Sequence, residues 1–523
     1  MESSYFCTAG GGTEIFLADE LKFISARHSG DLQSERCSSS QLQVEGKVLF
    51  TFSGHPAELL NLKTAERVFV QLCYKPHWIK QNGKDSSIMT ALQNTLEAIT
   101  PQDWDNAKHT WNFVNPPKKR SARFQNNQKS SEKLCNKRQK TENDDVTFRV
   151  SLKCPREYNN RRVSSMVGGC ITRQTGWKVD LRKPLFEVYI QLNNNHLIIG
   201  IPLTKIPLSD RPYIETIGLR STVAWIMAHK AQIQAGDTVL DPMCGVGTIL
   251  IEAANSWKNA SYLGCDTSEA QLALAERNIQ CAGLAERLQV IQADATNLPL
   301  KVCSVNAVVC DLPFGQQYGT AESVKKLYPA ALRQIHRVLK NNGHLVLLTS
   351  KALKPFLLAC IQQLNKSVNS QTIDIKPSEV IKPSKSIINN QTDNRQTFKT
   401  SQSTLSQTSN EETFKICNHV RSNANMLHGE VDVSTNKDTQ TKESLDKDYQ
   451  TERNLVPHSD ISRTVKSEQH FALALVDAHD LKLGDTHACI CTFRKTNERG
   501  ESDTETVIRP SFIKGIDQSE NSS

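Results

Sequence analysis

The sequence of 523 residues predicts an α/β protein: a mostly parallel, doubly wound sheet of seven strands, preceded by two smaller α+β units. Three observations carry this. From about Tyr213 onward, short apolar runs alternate regularly with helical stretches. A glycine turn follows the first of those apolar runs. Strand patterns then return at Phe471–Val476 and His487–Phe493, beyond a long polar segment, so that segment interrupts the sheet domain and does not end it.

Taken in order, residues 1–110 hold strand-like runs at Lys47–Phe52 and Arg67–Leu72, and Leu17 and Leu21 fall at helical spacing after Gly10-Gly11-Gly12. Residues 111–145 form a linker. Between Pro116 and Lys140 it carries nine Lys and Arg against the single acid Glu132, with too few apolar residues to fold alone. Residues 146–209 form the second unit. It has a strand at Phe148–Leu152, a helix around Met166, a strand at Lys178–Leu181 and a hairpin, Phe186–Leu192 and Leu197–Ile201, turning at Asn193-Asn194-Asn195. The sheet domain takes residues 210–360 and 468–496. Its strands read at Thr238–Leu240, Ser261–Cys265, Leu288–Ile291, Ala307–Cys310 and Gly343–Leu348. Between them lie helices such as Ser268–Ala282 and Ser323–Lys340, the latter closed by Asn341-Asn342-Gly343 as a C-cap. Residues 361–467 read as a disordered insertion: 47 of these 107 residues are Ser, Thr, Asn or Gln, too polar to offset the entropy of ordering. A disordered tail covers 497–523.

A chain 38% hydrophobic and 23% charged, with a mean hydropathy of -0.45, is folded protein joined to disordered sequence. Its net charge of +8 is a mild bias towards polyanions. The first residues lack a basic stretch followed by an apolar one, and no apolar run would span a bilayer, so a secreted or membrane protein is not expected. The 15 cysteines are scattered singly with no Cys-x-x-Cys, which points to a reducing compartment and to no metal site. The basic run, Lys-Lys-Arg at 118–120 and Asn-Lys-Arg-Gln-Lys at 136–140, reads as a solvated loop, a two-part nuclear localisation signal or an arm touching phosphates. The expected location is the nucleus, with the cytoplasm as the alternative.

The strongest chemical signal is Asp241-Pro242-Met243-Cys244-Gly245-Val246-Gly247-Thr248. A strand ending in an acid, then a glycine turn, brings backbone close to a ligand at the carboxyl edge of a sheet. Asp241 is placed to hold an amino group, and Gly245 and Gly247 leave room that a side chain would fill. Leu250 stands where a dinucleotide fingerprint needs its third glycine, and no Gly-Lys-Ser/Thr follows, so the spacing fits instead a ligand bearing a cation and no phosphate. Later strands also end in acids. Asp266 can accept both hydroxyls of a ribose. Asp294 can take an adenine amine, with the backbone N–H of Ala295 for a ring nitrogen. Each alone would read as a helix N-cap or a solvated strand end. Together they match the S-adenosylmethionine site of class I methyltransferases.

The fourth strand ends in Asp311-Leu312-Pro313-Phe314-Gly315, which resembles the Asp/Asn-Pro-Pro-Phe/Tyr motif of enzymes that methylate exocyclic amines of bases. Such an amine has its lone pair delocalised into the ring and is a poor nucleophile. Holding its N–H groups on the Asp311 carboxylate and the Leu312 carbonyl favours pyramidalisation and aims the lone pair. Pro313 stiffens that carbonyl and Phe314 offers a stacking face. Leu312 replaces the usual proline, and only its backbone is needed.

With these stretches, Gly176–Pro184 and Thr216–Ala224 complete a resemblance to the THUMP-domain RNA guanosine-N2 methyltransferases, over about Phe148–Leu348 and Phe471–Phe493. The resemblance implies that residues 146–209 are a THUMP module docking structured RNA, with residues 1–110 as its ferredoxin-like companion. It also implies a small zinc-binding activator subunit as a heterodimer partner. Arg161, Arg162, Arg173, Lys178, Arg182 and Lys183 are candidate phosphate contacts. The expected reaction is N2-methylation of guanosine in a structured small RNA, spliceosomal small nuclear RNA or tRNA. The alternatives are amine methylation of a protein glutamine or of DNA adenine, and an inactive RNA-binding scaffold.

Overall fold

The computed structural model describes residues 3–29, 41–78, 85–116, 146–193, 195–315, 321–370 and 471–497. The basic run, the polar segment beyond Ser370 and the end of the chain lie outside the described residues.

The N-terminal part is built on one sheet in the order β2-β3-β1-β4-β8-β7-β5-β6. Its strands are β1 Ser3–Thr8, β2 Leu42–Val44, β3 Lys47–Phe52, β4 Arg67–Pro76, β5 Thr147–Lys153, β6 Lys178–Val179, β7 Phe186–Leu192 and β8 His196–Pro202. The two units separated in the sequence reading are joined in the middle of this sheet. There β4 pairs antiparallel with β8, from Phe69 opposite Pro202 to Pro76 opposite His196. The helices α1 Glu14–Ser29, α2 Asp85–Glu97, α3 Pro101–Val114 and α4 Asn160–Thr175 bury a single core against it, from Leu17 and Phe50 to Trp104, Trp177 and Ile199.

A division at residue 110 does not follow this packing. Trp104 of α3 stacks edge-on against Trp177 at 5.7 Å, and Trp111 meets Phe186 at 5.5 Å. Gln174 of α4 accepts from Trp104 Nε1 and donates to the carbonyls of Leu96 and Ile99. Helix α2 packs chiefly on α4 of the second unit, while α3 bridges the two, lying on β4 of the first and setting its tryptophans against Trp177 and Phe186 of the second. The strand expected at Lys178–Leu181 shortens to two residues, and Val179 and Leu181 stay exposed at the sheet edge.

The C-terminal part is a seven-stranded sheet in the order β11-β10-β9-β12-β13-β15-β14. These strands are β9 Thr238–Asp241, β10 Ser261–Asp266, β11 Leu288–Gln292, β12 Val305–Asp311, β13 Leu339–Ser350, β14 Phe471–Leu483 and β15 Thr486–Asn497. The first five are parallel. β15 runs antiparallel between β13 and β14, from beyond the polar segment. Helices α5 Ser221–Lys230, α6 Thr248–Ser256, α7 Glu269–Cys281, α8 Ala321–Val338 and α9 Lys354–Ser370 accompany it. Side chains alternate between two cores. Val239, Val309 and Val346 enter one, while Leu240, Val308 and Leu345 enter the other.

Two boundaries differ from the sequence reading. Helix α9 continues past residue 360 to Ser370 and buries Ile361 and Leu364, so the fold extends into the polar segment. Helix α8 ends at Val338, not Lys340, and the chain enters β13 directly. Asn342 adopts a left-handed backbone (φ 63°) inside that strand, and regular pairing with β12 resumes at His344. The Asn-Asn-Gly signal marks this kink and not a helix cap.

Candidate active site

The strand order reverses between β9 and β12, which lie side by side with Val239 opposite Ala307 and Leu240 opposite Val308. A crevice opens at such a reversal, outside the carboxyl ends of the strands, because the connections leave in opposite directions. Asp241 closes β9 and Asp311 closes β12.

Asp241 is 1% exposed, and its carboxylate accepts hydrogen bonds from Met243 N (3.1 Å) and from the Cys310 thiol. The turn beyond it is held by Cys244 N donating to Cys265 O and Gly247 N donating to Cys244 O, both at 2.8 Å. Gly245 (φ 52°) and Gly247 (φ 81°) both take left-handed backbone, and Gly247 serves as the N-cap of α6 without any side-chain bond. Asp266, at the end of β10, reaches over with Oδ2 to accept from Gly245 N at 2.9 Å, while Oδ1 accepts from Ser268 N at 2.9 Å. Ser268, not Asp266, caps α7. Asp266 instead ties the second strand to the glycine turn.

Asp294 lies two residues past β11 and is exposed. Its Oδ1 accepts from Thr296 N at 2.8 Å, its carbonyl accepts from Asn297 N, and Ala295 is buried in the turn so formed. Ala293 N donates to Asp266 O at 3.1 Å, which seats this turn beside the second acid.

At the fourth strand end Asp311 is half-buried, and Leu312 N extends the ladder to Leu348 O at 3.0 Å. Leu312 has its side chain buried among Val308's core neighbours, which accounts for an aliphatic residue there. Tyr328 of α8 is fully buried. Its hydroxyl donates to Pro313 O at 3.1 Å and lies 3.2 Å from Thr349 Oγ1. Sequence reasoning missed Tyr328, because nothing in an amphipathic helix marks which tyrosine meets a turn in another strand. Phe314 is half-buried against the core beneath α6.

Electrostatics set what this crevice can hold. Burial, with Asp311 and Asp266 nearby, pushes the Asp241 carboxyl well above the usual carboxylate range. Burial alone pushes Asp311 up to about 7. Among the described residues no Lys or Arg forms an ion pair with Asp241, Asp266 or Asp311. Close-set carboxyls without a counter-ion favour a cationic ligand, since a positive charge relieves their repulsion and desolvation together. S-adenosylmethionine, with a sulfonium and an ammonium, fits this set. The neighbouring thiols of Cys244 and Cys310 are pushed strongly up by burial and by the same carboxyls, so they stay protonated and are no nucleophiles.

A second feature lies in the N-terminal part: a cleft of about 430 Å³ lined by Arg67, Arg149, Arg182, Lys183 and Lys205, with Trp111 and Phe186. Glu187 pairs with both Arg67 and Arg149. Arg182 N and Lys183 N donate to Asp180, and these bonds hold its carboxyl below the usual range. Of the phosphate contacts expected from sequence, Arg182 and Lys183 line the cleft. Arg161, Arg162, Arg173 and Lys178 are not among its lining residues. Arg67 and Arg149 come from separate strands and Lys205 from the turn beyond β8, so no sequence run could have disclosed them. Among the described residues no cluster of His, Cys, Asp or Glu could hold a metal ion, and no helix is long and apolar enough to cross a membrane.

Comparison with known proteins finds a match to the RMKL-like methyltransferase domain over residues 209–373 and to the THUMP domain over residues 123–201. The U6 snRNA (guanine-N(2))-methyltransferase THUMPD2 of Bos taurus is 32% identical over 410 residues, covering 67% of this chain and 78% of the relative. The tRNA (guanine(6)-N(2))-methyltransferase THUMP3 of Bos taurus is 32% identical over 233 residues, covering 41% of this chain and 46% of the relative. Among solved structures, TrmN from Thermus thermophilus shares the fold at a TM-score of 0.54 and 18% identity, over 95% of this chain and 100% of that one.

Proposed function

The chain belongs to the THUMP-domain RNA guanine-N2 methyltransferase family, and from that premise we propose that it transfers a methyl group from S-adenosylmethionine to guanosine N2 in a structured small RNA. The observation that carries the reading is the uncompensated set of Asp241, Asp266 and Asp311 at one strand reversal, with the base-holding tetrapeptide beginning at Asp311. Asp241 holds the donor's ammonium, Asp266 its ribose hydroxyls, and Asp294 with the Ala295 amide its adenine. Gly245 and Gly247 give it room. When bound, the donor supplies an electrophilic methyl on a sulfonium that departs as a neutral thioether. The chain's own work is positioning: Asp311 and the Leu312 carbonyl accept the two N–H groups of the guanine amine, Pro313 stiffens that carbonyl, and Phe314 stacks on the base. No metal ion or covalent enzyme intermediate is needed for that displacement.

The relative matched across both parts of this chain acts, by its name, on U6 snRNA, and the one matched over a shorter stretch acts on tRNA. U6 snRNA is therefore the first substrate to test, with tRNA second. The basic cleft is the docking surface for the RNA backbone. Nuclear residence, directed by the basic run at 118–140, and a small zinc-binding activator subunit complete the reading.

Mass spectrometry of U6 snRNA digested after incubation with the chain, its activator and the donor tests it. N2-methylguanosine is expected, with roughly a hundredfold or greater loss for Asp311→Ala. Equal product from the variant would discard the role given to Asp311. Methyl label in protein alone would favour a glutamine substrate, and donor binding without any label would favour a scaffold.

A further inference from the structure

The segment that leads from the RNA-docking part into α5 passes directly over the glycine turn, and one side chain fastens it there. Asn278 of α7 is fully buried. Its Oδ1 accepts from Glu215 N (2.9 Å) and Thr216 N (3.0 Å). Its Nδ2 donates to Thr216 O (2.9 Å) and to Val246 O (3.0 Å). All the hydrogen-bonding capacity of one amide is spent on stitching two backbone stretches together, and Val246 stands between the two left-handed glycines. A second contact runs beside it: Gly218 N donates to Thr248 Oγ1 at 3.3 Å, and a Cβ on Gly218 would come within 2.8 Å of Val246 Cγ2. The turn adopts backbone that is loosely determined by its own residues, since glycine populates many conformations at little cost. Its shape must then be set by what grips it from outside.

We propose that Asn278 is a positioning residue for the methyl-donor pocket, clamping the 215–218 segment onto the glycine turn and thereby holding that turn in the form that receives the donor. The assignment rests on the proposed function, because it presupposes that this turn binds S-adenosylmethionine. A residue that served only to stabilise the fold would lower the melting temperature and leave the donor affinity of the folded chain unchanged.

Isothermal titration of the full-length chain with S-adenosylhomocysteine, beside thermal melting and U6 snRNA binding, separates the two. In Asn278→Asp both donated bonds are lost, and roughly tenfold weaker ligand binding is expected, with RNA affinity unchanged. With saturating donor, kcat should stay within threefold while the donor KM rises. Gly218→Ala approaches from the other side of the clamp and should move the same quantities in the same direction, and it decides the matter if Asn278→Asp does not fold. Ligand affinity within twofold of wild type in folded variants would overturn the proposal. Failure of the wild-type chain to bind the ligand would overturn the proposed function and this assignment together, and is told apart from a loss confined to the variants.

Discussion

Asp311 is held at the end of β12 with its carboxyl pushed up to about 7 by burial. The sign of the consequence is fixed. A carboxyl whose folded pKa is raised binds its proton more tightly than in the unfolded chain, so its burial costs stability progressively as pH rises from about 4 to about 7. The ionised form is the one that accepts from the guanine amine, and so turnover at saturating donor should rise with pH through about 7. Rates at pH 6 and pH 8 should show turnover roughly tenfold slower at the lower pH, and a flat profile would remove the carboxyl from the reacting amine. Tyr328 invites a separate measurement. Tyr328→Phe keeps the buried ring and leaves Pro313 O without its donor, so kcat should fall roughly tenfold while donor affinity is unmoved. An unchanged kcat would show that the tetrapeptide holds its shape without that hydroxyl. Asp241, Asp311 and the glycines could be picked out in the sequence because each sits at an apolar run's end. Tyr328 and Asn278 could not, since their partners lie 15 and 32 to 63 residues away.

Most strands were legible from short apolar runs, and the exceptions have local causes. Asn341-Asn342-Gly343 carries the composition of a helix cap, yet α8 has already ended at Val338 because the chain is captured by β12, with Leu339 opposite Val305. Tertiary pairing overrides the local preference there. The last two strands carry a prediction at this scale. β15 pairs with β13 along seven residues and buries Cys489, Ile490, Cys491 and Phe493 on the two faces of the sheet. A chain stopped at residue 370 would expose both the β13 edge and this core, so it should be insoluble or molten by circular dichroism and melting. A cooperatively melting product of wild-type stability would show that the sheet closes without them.

Across the whole molecule, charge is divided by task. The crevice at the strand reversal gathers carboxyls, while the N-terminal cleft gathers five cations against Glu187. Reversing two of the cations together, Arg149→Glu with Lys183→Glu, should weaken RNA binding at least tenfold and lower the salt slope by about two, with donor affinity unchanged. Gel-shift titrations at several salt concentrations provide the measurement, and an unaltered slope would move the RNA to another face. The joining of the first two units through β4 and β8 makes this cleft a product of both, since Arg67 comes from one and Arg182 from the other.

The sequence by itself determined the parallel sheet, its glycine turn and the acids at its strand ends, because these are written in runs a few residues long whose chemistry is local. Only the tertiary structure decided that the first two units share one sheet, that Asn278 fastens the joining segment to the turn, and that five cations from separate strands and loops line one cleft. Those depend on contacts between residues far apart in the chain, whose free energy is realised only when the sheets have closed and water has left their cores.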